Sequence, residues 1–252
     1  MPQANSPEEV VQALEKIIAK AISEKDTIGY FAALYKNVTL AVIKGIKQGF
    51  FEDGPRMAKL DTIFANRYLT AYEQYQSGQL PSRSWLQAFR ATTDSDLIIL
   101  QELLIGMNAH INLDLGIAAA RAAPGNQLPG LQTDFNRIND ILGKLTPMVR
   151  DDLVQLSPKI GDLVKKLPFG GLVLAGFSMS EARDIAWKLA KDLAPLSPTQ
   201  QLTEMSRRDN ETRLFGKILL SDNIFIKAVK AEESTDVVHN IQVLDKLTIS
   251  VP

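Results

Sequence analysis

Two histidines, His110 and His239, are all the imidazole in this chain, and there is no cysteine. Disulfides, thiolate metal sites and cysteine nucleophiles are therefore excluded, and a serine–histidine–aspartate triad would have to use one of those two histidines. His110 keeps unusual company. The stretch GMNAHINLDLGIAAA, Gly106 to Ala120, sets Asn108, His110, Asn112 and Asp114 among Leu, Ile, Met, Ala and Gly. Asp114 follows His110 by four residues, one helical turn, so its carboxylate can fix the imidazole tautomer and raise its basicity. The same spacing suits two ligands of one metal ion. His110 and Asp114 are thus the candidate catalytic pair, and Glu102, His110 and Asp114 the candidate ligands of a single divalent metal. A histidine–aspartate pair that only satisfies itself inside a core is the third reading of these residues.

Taken as a helix over about 95–122, the segment sorts into stripes of residues four apart. Leu103, Met107, Ile111, Leu115 and Ala119 form a wholly apolar stripe. Ile105, Ala109, Leu113 and Ile117 form another. The polar groups fall on the remaining two: Leu104, Asn108, Asn112 and Gly116, and Glu102, Gly106, His110 and Asp114. A helix apolar on so many sides is buried, and its polar seams need partners, because each unsatisfied group costs on the order of 1–3 kcal/mol. Asn108 and Asn112 either cross-link helices or contact a ligand. Gly106 leaves a gap on the histidine seam where a ligand or a neighbouring backbone could approach.

Other helices must complete such a site. In LDTIFANRYLTAYEQY, Leu60, Phe64, Tyr68 and Tyr72 share an aromatic stripe. Arg67 lies between Ile63 and Ala71 and needs a carboxylate, either Asp114 or Asp61. Asn66, Arg67 and Tyr68 are candidate substrate contacts, as are Asn108 and Asn112. Asn136 and Asp140, one turn apart in QTDFNRINDIL, join them if that helix faces His110. The apolar, glycine-rich LPFGGLVLAGFSMSEA, 167–182, lacks the Lys-Ser/Thr of a phosphate loop, so no nucleotide cofactor is expected. It reads as a lid over an apolar pocket or as a buried turn.

Totals set the frame. The 252 residues are 45% hydrophobic and 23% charged with a net charge of −1, which suits a soluble globular protein with no field for nucleic acid. The N-terminus lacks a basic stretch followed by an apolar one, and apolar runs break within about a dozen residues, too short for a bilayer. These features predict a cytoplasmic protein without a transmembrane segment.

The fold class read from the pattern is all-α: one multi-helix domain over 1–234, packed around the buried 95–122 helix, with a tail at 235–252. Ser6-Pro7 with Glu9, and Ser197-Pro198 with Gln200, are capped helix starts. Ser157-Pro158 and Thr146-Pro147 follow that grammar more loosely. Helices are predicted near 7–24, 27–48, 55–77, 82–92, 95–122, 132–145, 147–156, 158–166, 179–194 and 198–231. The last opens on EMSRRDNETRL, polar all round and read as a solvated face. HNIQVLDKLTISVP is the only candidate strand.

FANRYL (64–69), GMNAHINLDLGIAAA (106–120) and DFNRIND (134–140) together resemble an uncharacterised helical family of bacterial and fungal proteins, a domain of unknown function. The likeness runs from about Asp26 to the long C-terminal helix. It implies a shared helical fold and no activity. The family pattern places a histidine where this chain has Glu102, which weakens a two-histidine metal site while leaving Glu102 a competent ligand. A fainter likeness is to the helical zinc phospholipase C and P1 nuclease group. Its histidine-rich trinuclear site cannot be built from two histidines.

The functional expectation is an enzyme acting on a hydrophobic or lipid-like small molecule in a cavity between helices. The alternatives are a non-catalytic carrier of an apolar ligand and a helical scaffold or interaction protein with a structural polar network.

Overall fold

A computed structural model gives the architecture and describes residues 3–160, 178–221 and 224–246. Among the described residues there is no strand; the chain is all-α. It begins with α1 (Pro7–Glu24), where the Ser6 hydroxyl accepts from the Glu9 amide and Pro7 supplies a ready-made φ. The Glu9 carboxylate reaches one residue further back than a capping box requires, accepting from the Asn5 amide at 2.7 Å. Next come α2 (Ile28–Lys47), α3 (Gly54–Gln76) and α4 (Arg83–Ala91), close to the predicted positions.

The central helix, α5, runs Ile99–Ala122. It starts four residues later than the pattern suggested because the Glu233 carboxylate accepts from the Ile99 amide and holds the first turn there. By length and composition α5 could cross a membrane, yet 94% of its most apolar window is buried inside the fold. Helices α2, α3 and α4 enclose it, together with α7 (Met179–Leu193) and α8 (Pro198–Leu219).

Three expectations change here. The predicted break at Thr146-Pro147 is absent: α6 runs unbroken over Leu128–Leu156 with Pro147 inside it. Thr146 turns its hydroxyl back onto the Leu142 carbonyl instead of capping a new helix. The single helix over 198–231 is two, α8 and α9 (Ile224–Lys230). Its polar opening is not simply a solvated face, since Asp209 is buried and accepts from the Arg83 and Ser84 amides, capping α4. Lastly, the predicted tail contains α10 (Val237–Asp245), capped by Asp236 and packed on α2. Ile241 lies so close to Gly29 that a Cβ there would come within 2.6 Å of it, and Asn37 donates to the Leu244 carbonyl at 3.0 Å. The predicted 158–166 helix and the lid lie largely outside the described residues. What is described after 177 is the helix start, where Ser178 accepts from the Glu181 amide.

The buried residues of α1 to α10 form one apolar cluster. Close approach of backbones is set by small residues: a Cβ on Gly116 of α5 would meet the Ala186 carbonyl oxygen of α7 at 2.6 Å. That contact fixes how deeply α7 presses onto the middle of α5.

Candidate functional site

α5 is not α-helical throughout. Between Ile99–Ala109 and Gly116–Ala122 the six residues His110–Leu115 form a π-helix. Such segments carry an extra residue in the turn, are rarely used, and concentrate at functional positions. This one holds His110, Asn112 and Asp114, all buried.

Asp114 is the electrostatic centre. Its carboxylate has no solvent exposure and accepts from Arg67 Nε at 2.5 Å and from Trp85 Nε1 at 2.6 Å. Burial alone would raise its pKa, but Arg67, His110 and the Trp85 N–H together hold it below the usual carboxylate range. Asp114 is therefore the carboxylate that Arg67 requires. Asp61, the alternative, lies elsewhere, buried and pushed up to about 7 by desolvation. Trp85 was missed in the sequence reading, although a buried indole N–H always needs an acceptor.

His110 stands beside this pair rather than within it. Its Nδ1 lies 3.6 Å from Asp114 Oδ2, longer than a well-formed hydrogen bond, and among the described residues neither ring nitrogen has a closer partner. Burial pushes its pKa below the ordinary histidine value, with Arg67 adding to the effect and Asp114 opposing it. Burial thus favours the neutral form of the ring, which sits in an aromatic cage. Phe64 stacks on it at 3.6 Å between centroids and 10° between planes; Tyr35 meets it edge-on at 4.4 Å and Phe31 at 5.6 Å.

The gap predicted at Gly106 is filled by Phe31, whose ring carbon would lie 2.7 Å from a Cβ there. Glu102 lines a small pocket with Phe31, Trp85 and Gly106. Its carboxyl is pushed up to about 8, chiefly by burial. Among the described residues no three His, Asp or Glu side chains are grouped to hold a metal, so Glu102, His110 and Asp114 are not brought together as a ligand set.

His110 forms part of the wall of a cavity of about 100 Å³. The cavity lies between α2, α3, α5, α6 and α7, and Phe31, Phe64, Leu103, Met107 and Leu142 are among its apolar walls. Arg183 and Thr146 also face it.

The other sequence candidates are dispersed. Asn66 is engaged at both ends, accepting from the Ala4 amide at 2.9 Å and donating to the Ala4 carbonyl at 2.8 Å, so it ties the N-terminus to α3. Asn66 and Arg67 also line an open polar cleft with Trp85 and Arg121. Tyr68 is fully buried with its ring against Phe31 and Trp85 and its hydroxyl unpartnered. Asn108 donates to the Thr212 carbonyl of α8 at 2.9 Å and accepts from Asn112 at 2.8 Å, the helix cross-link. Asn112 lines a separate cleft beside α8.

Asn136 and Asp140 do not reach His110; both are exposed, because Asp134, Phe135 and Ile138 are the residues that α6 turns inward. Asp134 is fully buried and accepts from the Glu52 and Asp53 amides at 2.7 and 2.9 Å, tying α6 to the start of α3.

The chain belongs to the Family of unknown function (DUF5995), whose model matches residues 8–222. The match begins earlier than the three motifs suggested and takes in most of α1. No curated protein and no solved structure matches the chain.

Proposed function

We propose that this protein binds a small, mainly apolar molecule in the cavity beside His110, with the imidazole as a polar contact. One observation carries the reading. A histidine whose two ring nitrogens have no hydrogen-bond partner among the described residues borders an apolar cavity, where an unmet polar group costs on the order of 1–3 kcal/mol. A ligand bearing one hydroxyl, carbonyl or amide would remove that cost while burying its apolar body.

The arrangement also favours acid–base chemistry on such a ligand. A depressed pKa keeps His110 in its basic form at neutral pH, and Asp114, held ionised by Arg67 and Trp85, lies close enough to stabilise the imidazolium formed on taking a proton. The test is binding of 1-hexanol followed by calorimetry, with native mass spectrometry for any copurified molecule. His110→Phe keeps the stack on Phe64 and removes both nitrogens. Binding to the wild type that weakens about tenfold in a folded His110→Phe chain is expected. No binding to the wild type, or equal binding to both, sinks the proposal.

A further inference from the structure

Arg183, on α7, is a further polar residue of the same cavity and, as a charged one, the most costly. It is 4% exposed and, among the described residues, forms no ion pair. Its terminal nitrogen Nη2 donates to the Phe135 carbonyl, its guanidinium carbon lies 4.4 Å above the centre of the Phe135 ring, and Nε is buried with no partner. Among the described residues the only charge that bears on it appreciably is that of Asp184, its neighbour in sequence, which is exposed on another face of α7. Burial lowers its pKa to about 10, which still leaves it a cation at neutral pH.

A buried charge without its opposite is strongly unfavourable, and chains normally pair it. The Phe135 face and one carbonyl are weak substitutes for a carboxylate. Arg183 lines both the cavity of about 100 Å³ that His110 faces and an adjoining one of about 40 Å³. Tyr35, Val38, Phe64, Leu115 and Ile138 are shared by both linings, so the two spaces adjoin across a common apolar wall. Asp61 lines the smaller space but not the larger, and among the described residues its Oδ2 has no hydrogen-bond partner and it forms no ion pair with the arginine.

We infer that the ligand of this cavity is an amphipathic monocarboxylate, its carboxylate on the free edge of the Arg183 guanidinium and its apolar body along Phe64, Leu103 and Met107. The chemistry follows from the donor set. A planar guanidinium with Nε unspent matches a planar carboxylate, and one cation balances one negative charge. This inference rests on the apolar-ligand reading above and specifies the ligand's class.

The experiment compares hexanoate with 1-hexanol, matched in apolar length, by calorimetry at pH 7.5 on the whole chain and on Arg183→Met. Hexanoate is expected to bind the wild type at least about tenfold more tightly than hexanol. Arg183→Met is expected to bind the two alike or to prefer the alcohol. Equal binding of acid and alcohol to the wild type overturns the carboxylate inference and leaves the apolar cavity standing. Binding of neither overturns the cavity reading and this inference with it. The wild-type comparison needs no variant, so a failure of Arg183→Met to fold does not blunt the test; a folded Arg183→Met that keeps the preference for the acid also overturns the assignment.

Discussion

Replacing Arg67 by methionine removes the guanidinium that neutralises Asp114, while replacing Asp114 by asparagine removes the anion and keeps its shape. The two perturbations are not equivalent, because Asp114 has no exposure and the Arg67 side chain is 19% exposed at an open cleft. Breaking a buried pair by removing one partner costs about 3–5 kcal/mol, most of it the stranded charge. In Arg67→Met the stranded group is the carboxylate, which keeps the Trp85 N–H but cannot reach water; a loss of about 4 kcal/mol is expected. In Asp114→Asn the stranded group is Arg67, which can hydrate through the cleft, and the amide oxygen still accepts from Trp85, so about 2 kcal/mol is expected. The double variant should lose less than Arg67→Met alone, since no unpaired charge remains. Urea unfolding followed by tryptophan fluorescence at pH 7 measures all three. In the folded chain the Asp114 carboxyl lies below its usual pKa, so its stabilisation is present above the unfolded value of about 3.9 and fades as pH falls through the lower folded value. The gap between wild type and Asp114→Asn should therefore narrow below about pH 4. An Arg67→Met chain within 1 kcal/mol of the wild type, or one less damaged than Asp114→Asn, refutes this reasoning.

Two further outcomes follow from other parts of the fold. Gly106→Ala sets a methyl 2.7 Å from the Phe31 ring, which must turn, whereas Gly116→Ala meets the Ala186 backbone oxygen at 2.6 Å. By urea midpoint the second should cost more, about 3 kcal/mol against about 1, and a reversed order would mean that α7 can lift away from α5. Glu102, Glu233 and Asp61 have carboxyls raised by burial to about 8, 7 and 7, so the folded chain binds more protons than the unfolded one between about pH 4 and those values. Stability should accordingly fall as pH rises from 6.5 to 8.5, and Glu102→Gln should flatten the slope; a wild-type midpoint that rises over this range contradicts the assignment.

The sequence carried most of the helices, because each start is a local event. Ser6, Asp53, Ser82, Ser178 and Asp236 each accept from the amide three residues on, and the first four precede an apolar period that can be read directly. Proline misled at Pro147, where the ring occupies a helix interior that tertiary packing holds together. The Arg67–Asp114 pair was legible as one of two choices, since an arginine among apolar neighbours demands an acid. The cage on His110 was not, because Phe31 and Tyr35 come from α2, and no spacing within α5 refers to them. The outward turn of Asn136 and Asp140 was equally hidden: their stripe is as regular as the buried one beside it, and burial of Asp134 against the 52–53 amides decides between them.

The π-helical turn has a consequence for how this chain can vary in length. A helix containing one extra residue keeps its two halves in different phases, offset by about the 100° that a residue contributes to an α-helix. Here both phases are pinned: Gly106 faces Phe31 on one side of the turn, and Gly116 faces Ala186 on the other. Removing a single residue between them would restore an ordinary helix and rotate one pin out of its seat. Substitution leaves the count unchanged and so leaves the phase unchanged. A substitution within His110–Leu115 thus keeps the two halves in phase whatever else it costs, whereas a change in their number does not.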